Sequence, residues 1–341
     1  MQIPSKEALI KVLAVVCLFI ITLTFLSWSN SCPSNQGNSF QFWAGPTFPK
    51  RNDTSSDDPL VGTPEHPEER LIVHYIWFQR DILKPTGVLF LDCISVLSVM
   101  ENLKPDAIFV HTDLPSFWPF DACSQLITDW TGVELVPAKK NLEIGGKKIH
   151  YVEHEADIMK LQLLWHYGGL ALDFDVYLIN GTKFREVYHA HPCVLTYDGN
   201  DRINNGFVAC QKGAVYPGMI LQESYVADYR PNEWVYNIGV RTFQLFHQHK
   251  ETGYIQEGIS DRPTYDGRYE FLTGPGRKHE WRDKIAHHSF LHDKGYNLDS
   301  VKRDDSSMGD MLRWIVNGGM GLNTNSSMDI ASTVAGVIDR V

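Results

Sequence analysis

Gly168-Gly169-Leu170-Ala171-Leu172-Asp173-Phe174-Asp175-Val176 is the stretch whose reading decides the fold. Upstream of it, Glu153 to Tyr167 reads EHEADIMKLQLLWHY, with Ile158, Leu161 and Trp165 at helical spacing. Gly168 is placed to stop that helix as a left-handed cap. Leu170 to Ile179 (LALDFDVYLI) then reads as an apolar strand. On a regular strand residues i and i+2 share one face, so Asp173 and Asp175 are expected to converge. Two acids that close are costly to bury without a counter-charge. A hard cation such as Mn2+ or Mg2+, held with the oxygens of a bound phosphate, supplies one. An Asp-x-Asp pair alone also occurs in solvated turns. Here the preceding Gly-Gly and three apolar residues favour a metal–diphosphate site.

Working outward, Leu71 to Phe78 (LIVHYIWF), Ala107 to Asp113 (AIFVHTD) and Val133 to Ala138 (VELVPA) read as strands. Gly87 to Glu101 is an amphipathic helix, ended by Lys104-Pro105. Pro192 to Tyr197 and Gly206 to Cys210 are two further strands joined by a polar loop, and Pro217 to Val226 and Asn237 to Lys250 are helical. Strands alternating with helices predict an α/β domain with a mixed, mostly parallel sheet. From Lys302 onward the chain is rich in Asp, Ser and Gly and is expected to be weakly ordered, with one short helix around Met311 to Val316.

The chain has 341 residues, 43% apolar and 12% aromatic, which excludes a collagen, a coiled coil and a mostly disordered protein. The net charge of −10 excludes a basic nucleic-acid footprint. Val12 to Trp28 carries no charge and is bounded by Lys11. It reads as a signal anchor that leaves residues 1–11 cytosolic. Ser27 and Ser29 also permit a cleaved signal peptide. Residues 29–68, rich in Ser, Asn, Pro and Gly, read as a stem. Three sequons, at Asn52, Asn180 and Asn325, are compatible with a luminal fate. Cys32, Cys93, Cys123, Cys193 and Cys210 follow the anchor; five is odd, and Cys32 in the stem is the candidate for a disulfide-linked dimer. Buried free thiols are the competing reading.

Several segments together resemble one glycosyltransferase family. They are Ala156 to Leu161, Trp165 to Gly169 and Leu172 to Val176, with Ile72 to Trp77, Pro105 to Thr112 and Asn204 to Ala209. That family holds α-1,4-galactosyltransferases, α-1,4-N-acetylglucosaminyltransferases, yeast initiating α-mannosyltransferases and, more distantly, clostridial toxin glucosyltransferases. The resemblance spans about Leu71 to His292. It implies a GT-A nucleotide-diphospho-sugar transferase fold over residues 69–300, after an N-terminal transmembrane helix, with 301–341 as a C-terminal extension. It also implies a retaining, Mn2+-dependent hexosyltransferase; the positive-inside rule makes the anchor type II, and its short length suits retention in the thinner Golgi membrane. The donor would be a UDP-sugar, UDP-galactose or UDP-N-acetylglucosamine before GDP-mannose, and the acceptor a glycan or glycolipid.

Carried over residue by residue, Asp175 would bind the metal. Asp173 would bind the ribose and, through water, the metal. Trp77 would stack on the base, Asp157 and Lys160 would hold sugar hydroxyls, and Asn205 would line the donor-sugar pocket. His288 would reach the metal or the diphosphate. The chain departs from the family at three places. Lys160 stands where the toxin-like members carry Arg, Val240 stands where the α-1,4 enzymes carry Pro, and Ser289-Phe290 follows His288 in place of Trp-x-x-Ser-Trp. Two other classes compete: a catalytically degenerate sugar- or nucleotide-binding protein, and a haloacid-dehalogenase-type phosphatase using Lys302 and Asp304-Asp305.

Overall fold

The computed structural model describes residues 70–199, 201–260 and 280–321. The expected cytosolic tail, anchor and stem, with Cys17, Cys32 and the Asn52 sequon, lie outside the described residues, as do Asn325 and residues 322–341. Among the described residues no helix is long and apolar enough to cross a membrane.

In chain order the elements are β1 (Ile72–Trp77), α1 (Phe90–Asn102), β2 (Ala107–Thr112), β3 (Val133–Pro137), β4 (Glu143–Ile144), β5 (Lys147–Lys148) and α2 (Val152–Tyr167). Then come β6 (Gly169–Leu172), β7 (Val176–Leu178), α3 (Gly181–Ala190), β8 (Cys193–Tyr197), β9 (Ile203–Cys210) and α4 (Val215–Ile220). The rest are α5 (Thr242–Gln248), β10 (Tyr254–Ile255), β11 (Ala286–His288), α6 (Leu298–Arg303) and α7 (Ser307–Val316). One π-helical turn, Leu221–Val226, extends α4, and another, Tyr236–Arg241, leads into α5.

Seven strands form one sheet in the order β10-β8-β9-β6-β1-β2-β3. β1 runs parallel to β2 and β6, β2 to β3, and β8 to β10, whereas β9 runs antiparallel to both β6 and β8. The sheet is therefore mixed and mostly parallel, as expected. Its strands read as continuous apolar runs because both faces are covered. Val73, Tyr75, Val110, Leu170, Leu172 and Phe207 pack in one cluster with side chains of α1, α3 and α7. Their neighbours Ile72, Ile76, Phe109, Ala171 and Val208 belong to the clusters on the other face, where Ile158, Met159, Leu161 and Leu163 of α2 lie.

The Gly-Gly pair acts differently from a left-handed cap. Gly168 has φ 72° and ψ −162°, an extended mirror-image conformation open in practice only to glycine. A Cβ on Gly168 would sit 2.5 Å from the Lys212 amide nitrogen, and one on Gly169 2.3 Å from the Ile72 carbonyl oxygen. Glycine here lets α2 turn straight into the middle of the sheet.

Two expectations need correction. Leu170 to Ile179 is not one strand: β6 ends at Leu172, residues 173–175 form a turn, and β7 pairs antiparallel with β11 in a separate two-stranded sheet. Phe174 causes the break. Its ring is buried against Tyr75 (4.5 Å between centroids) and Trp77 (5.3 Å), which pins the turn. The stretch from Lys302 to residue 321 is not weakly ordered either. Ser306 caps α7 by accepting from the Gly309 amide. Met308, Met311, Leu312 and Ile315 are buried in the same cluster as α1. Asp, Ser and Gly residues there supply caps and turns around apolar positions at helical spacing.

Four of the six cysteines pair, Cys93 with Cys123 and Cys193 with Cys210. The free-thiol reading is thereby overturned for these four. The dimer candidate Cys32 lies outside the described residues.

Candidate active site

Because β9 runs against β6, its first residues arrive beside the last residues of β6. The 173–175 turn and Asn204-Asn205 therefore meet at the C-terminal edge of β1 and β6, where strand order reverses and ligands bind in open α/β sheets. The Asp173 amide donates to the Gly206 carbonyl at 2.8 Å and closes this junction.

Asp173 and Asp175 converge as expected, but through a turn rather than one strand face. The third member is His288, delivered by β11. Ligand atoms of Asp173, Asp175 and His288 all lie within 4.8 Å of one another. His288 Nε2 stands 3.1 Å from Asp175 Oδ1. On its other side, His288 Nδ1 is 3.1 Å from Asn204 Oδ1, which already accepts the Gly206 N–H at 2.7 Å. That acceptor places a proton on Nδ1, so Nε2, which faces the two carboxylates, is the ring atom that could take a cation. Gly206 makes the packing possible, since a Cβ there would lie 2.4 Å from His288 Cε1. The Phe290 ring stacks on His288 with centroids 3.7 Å apart. Two carboxylates and one imidazole suit a divalent cation of the Mn2+ or Mg2+ kind, so the residues present fit the expected metal.

Burial alone would raise the Asp175 carboxyl, but the neighbouring His288 and His292 outweigh it and hold the group below its usual range. The Ser289 amide and hydroxyl both donate to the Asp175 carbonyl, at 3.0 and 3.2 Å, and fix its backbone.

A second layer comes from α2. Lys160 is 1% exposed and its Nζ donates to Asp173 Oδ1 at 2.5 Å and to the Asn205 carbonyl at 3.1 Å. The same nitrogen lies 3.6 Å from Asp157 Oδ1, the i,i+3 neighbour on the helix. Burial works against its charge, but Asp173 and Asp157 prevail and the ammonium is held above its ordinary range. Burial likewise raises Asp157, with Lys160 opposing. Asn205 Nδ2 donates to Asp157 Oδ1 at 3.1 Å, whereas Asn205 Oδ1 is buried with no partner among the described residues. An orphaned buried acceptor of this kind calls for a water, an ion or a small rearrangement to satisfy it.

Trp77 ends β1 next to this cluster. Its indole meets Phe174 edge-on and its Nε1 donates to the Thr86 carbonyl at 3.1 Å. The structure thus gathers Asp157, Lys160, Asp173, Asp175, Asn205 and His288 into one network and sets Trp77 at its border.

Sequence reasoning missed His292 and Asp92. His292 Nε2 reaches 3.4 Å from Asp175 Oδ2 with its side chain 66% exposed. It sits in an irregular stretch where no periodicity marks it. Asp92 accepts the Leu89 N–H at 2.7 Å as part of the α1 cap. Burial pushes its carboxyl up to about 7, against the Leu89 bond and His292, and with the help of Asp175. By contrast, the residues invoked for a phosphatase are engaged elsewhere. Lys302 pairs with Asp299 at 3.7 Å, and Asp304 accepts from Tyr296 at 2.7 Å.

No family model matches the chain. Over 266 residues it is 22% identical to "Glucan organizing enzyme 1" of Cryptococcus neoformans var. grubii serotype A, across 71% of this chain and 69% of that protein. Among solved structures, the glycosyltransferase GlyE of Streptococcus pneumoniae TIGR4 superposes with a TM-score of 0.42 at 14% identity, covering 80% of this chain and 64% of that one. The galactosyltransferase LgtC, solved with donor and acceptor sugar analogues, gives a TM-score of 0.36 at 10% identity, covering 74% of this chain and 98% of that one.

Proposed function

We propose that the chain is a metal-dependent glycosyltransferase of GT-A type that moves a hexose or N-acetylhexosamine from a nucleoside-diphosphate sugar to a glycan or glycolipid. The observation that carries this is the Asp173–Asp175–His288 triad backed by the buried Lys160–Asp157–Asn205 network. A triad of hard and borderline donors suits a cation–diphosphate pair. A nucleoside diphosphate leaves poorly unless its charge is neutralised; a divalent cation bound at the triad supplies that Lewis-acid role.

The chain's own residues do the rest. His288, with its proton held on Nδ1 by Asn204, offers Nε2 as a ligand. Lys160 holds Asp173 in place and offsets a surplus of three carboxylates. Asp157, itself oriented by Asn205, presents an acceptor to the donor sugar. Positioning of this kind turns the transfer into a nearly unimolecular event. Retention of α configuration, UDP-galactose or UDP-N-acetylglucosamine as donor and Mn2+ as the metal belong to the same proposal and rest on the sequence resemblance; the Golgi type II anchor at residues 12–28 rests on the short uncharged run and its flanking lysine. The covalent dimer through Cys32 rests on cysteine parity alone.

The test is donor hydrolysis and transfer by the full chain, screened over UDP- and GDP-sugars with Mn2+, with EDTA, and with Asp175→Asn. Turnover of one donor, abolished by EDTA and lowered at least 100-fold in the variant, is the expected result. Folded protein that binds neither UDP nor GDP in the presence of Mn2+ would overturn the proposal.

A further inference from the structure

The segment between the two π-helical turns carries an exposed aromatic that the donor site does not use. Trp234 is 58% exposed, and among the described residues no aromatic ring packs on it. An indole normally left in water would be expected on a loose loop, but this loop is braced. Asn237, fully buried, donates through Nδ2 to the carbonyls of Ser224 (2.6 Å) and Asp228 (2.9 Å) and accepts from the Arg230 amide (2.9 Å). The Arg230 guanidinium lies 3.4 Å over the Tyr236 ring.

The loop is also tied to the catalytic helix. Buried His154 of α2 donates from Nε2 to the Trp234 carbonyl and takes the Tyr229 hydroxyl at Nδ1, each at 2.8 Å. His154 precedes Asp157 by three residues, so the two share a helix face and are separated by about 4.5 Å of axial rise. Trp234 is therefore held at a set distance beyond Asp157, on the side away from Lys160 and the metal triad.

We propose that Trp234 is the stacking platform for an uncharged hexopyranoside, the acceptor end of the saccharide that receives the transferred sugar. A rigid, water-exposed indole offers a flat apolar face at low entropy cost, and the C–H face of a pyranose matches it. Asn232, whose Oδ1 lies 3.1 Å from His150 Nδ1, supplies polar edges for hydroxyls beside it. The charges nearby are already internally paired, Arg230 with Glu233 at 3.2 Å and with Asp228 at 3.6 Å. Arg230 is the one cation of residues 227–235, and the acids Asp228 and Glu233 beside it disfavour an anionic saccharide. The assignment of the saccharide as acceptor rests on the transferase reading; the platform itself rests on the loop.

The experiment is saturation-transfer NMR on the full chain in a detergent without a sugar headgroup. The probes are methyl α- and β-glycosides of galactose, glucose, N-acetylglucosamine and mannose, with UDP and Mg2+ as a second, independent ligand. The expected result is a ring-proton signal from at least one glycoside in the wild type, reduced at least tenfold in Trp234→Ala and retained in part in Trp234→Phe. UDP signals are expected to match across all three. Glycoside signals unchanged in Trp234→Ala would overturn the platform. So would their absence from a wild-type sample that binds UDP. A Trp234-dependent glycoside signal without UDP binding would sustain the platform and remove the donor reading instead. Silence from both ligands would remove both.

Discussion

Replacing Gly206 with alanine should separate metal binding from folding. Gly206 lies in β9 and is not among the positive-φ glycines, so its backbone is open to alanine. The obstacle is steric. The new Cβ would stand 2.4 Å from His288 Cε1 and 2.7 Å from Nδ1, about 1 Å inside ordinary contact. His288 is 4% exposed and stacked on Phe290, so it has little room to yield. A retreat of about 1 Å is several times the tolerance of about 0.2 Å in a metal–ligand distance. Disturbing a ligand's support typically weakens metal affinity about 10–100-fold, or about 1.4–2.7 kcal/mol. Overpacking should cost about 1–3 kcal/mol of stability, lowering Tm by several degrees without unfolding the chain. Titrating Mn2+ in the presence of UDP, with free Mn2+ counted by electron paramagnetic resonance, measures the first quantity, and a thermal melt the second. A folded variant that keeps Mn2+ affinity within twofold of wild type would refute the placement of His288 in the metal site.

Other outcomes follow from the same geometry. Lys160→Met leaves buried Asp157 and half-exposed Asp173 without their shared cation. It should cost about 3–5 kcal/mol in denaturant unfolding and abolish UDP-sugar binding, with Lys160→Arg recovering part of either; unchanged unfolding would contradict the network. Non-reducing peptide mapping should recover Cys93 linked to Cys123 and Cys193 linked to Cys210. Removing either bridge should cost about 3–4 kcal/mol, given loops of 30 and 17 residues. Burial holds His74 down at about 4 and His111 well below its ordinary value, the two rings bonded Nδ1 to Nε2 at 3.0 Å. The unfolded chain takes up these protons first. The contribution of these two rings to stability should therefore be constant above about pH 6.5 and fall as pH drops toward 4, by up to about 1.4 kcal/mol per pH unit per ring. A His74→Gln/His111→Gln variant whose melts show the same pH slope would refute this assignment.

Much of this molecule can be read from its residues. The strands flagged by runs of Val, Ile and aromatic residues are present, because a sheet covered on both faces leaves a strong apolar signature. Helix α2 is equally plain, from the helical spacing of its apolar residues and the glycine that ends it. The turn at 173–175 was not legible. Period-two reasoning assumes a continuing strand, and only the tertiary burial of Phe174 among Tyr75 and Trp77 shows that the strand stops. Helix α7 contains the short helix expected around Met311 to Val316, but its first turn and α6 lie where Asp, Ser and Gly dominate the composition and mask the helical spacing of Met308, Met311, Leu312 and Ile315. Six site residues carried over by resemblance do share one network. His292 reaches Asp175 from an irregular stretch, and such long-range convergence leaves no mark in a single sequence.

The Cys193–Cys210 bridge has a consequence for strand register. Residues 198–202 already join β8 to β9 at one end, and the bridge joins them at the other, so the hairpin is a closed covalent ring. A strand slipped by one residue presents every side chain on the opposite face. In this ring Asn204 looks toward His288 and Asn205 toward Asp157, on opposite sides of the sheet. A slip would exchange the two, placing each asparagine where the other belongs. The register shift between Val194 and Thr196 separates the bridge from these asparagines, so the bridge locks the Cys193–Cys210 end while the Thr196–Asn204 and Tyr197–Ile203 pairs hold the phase at the other.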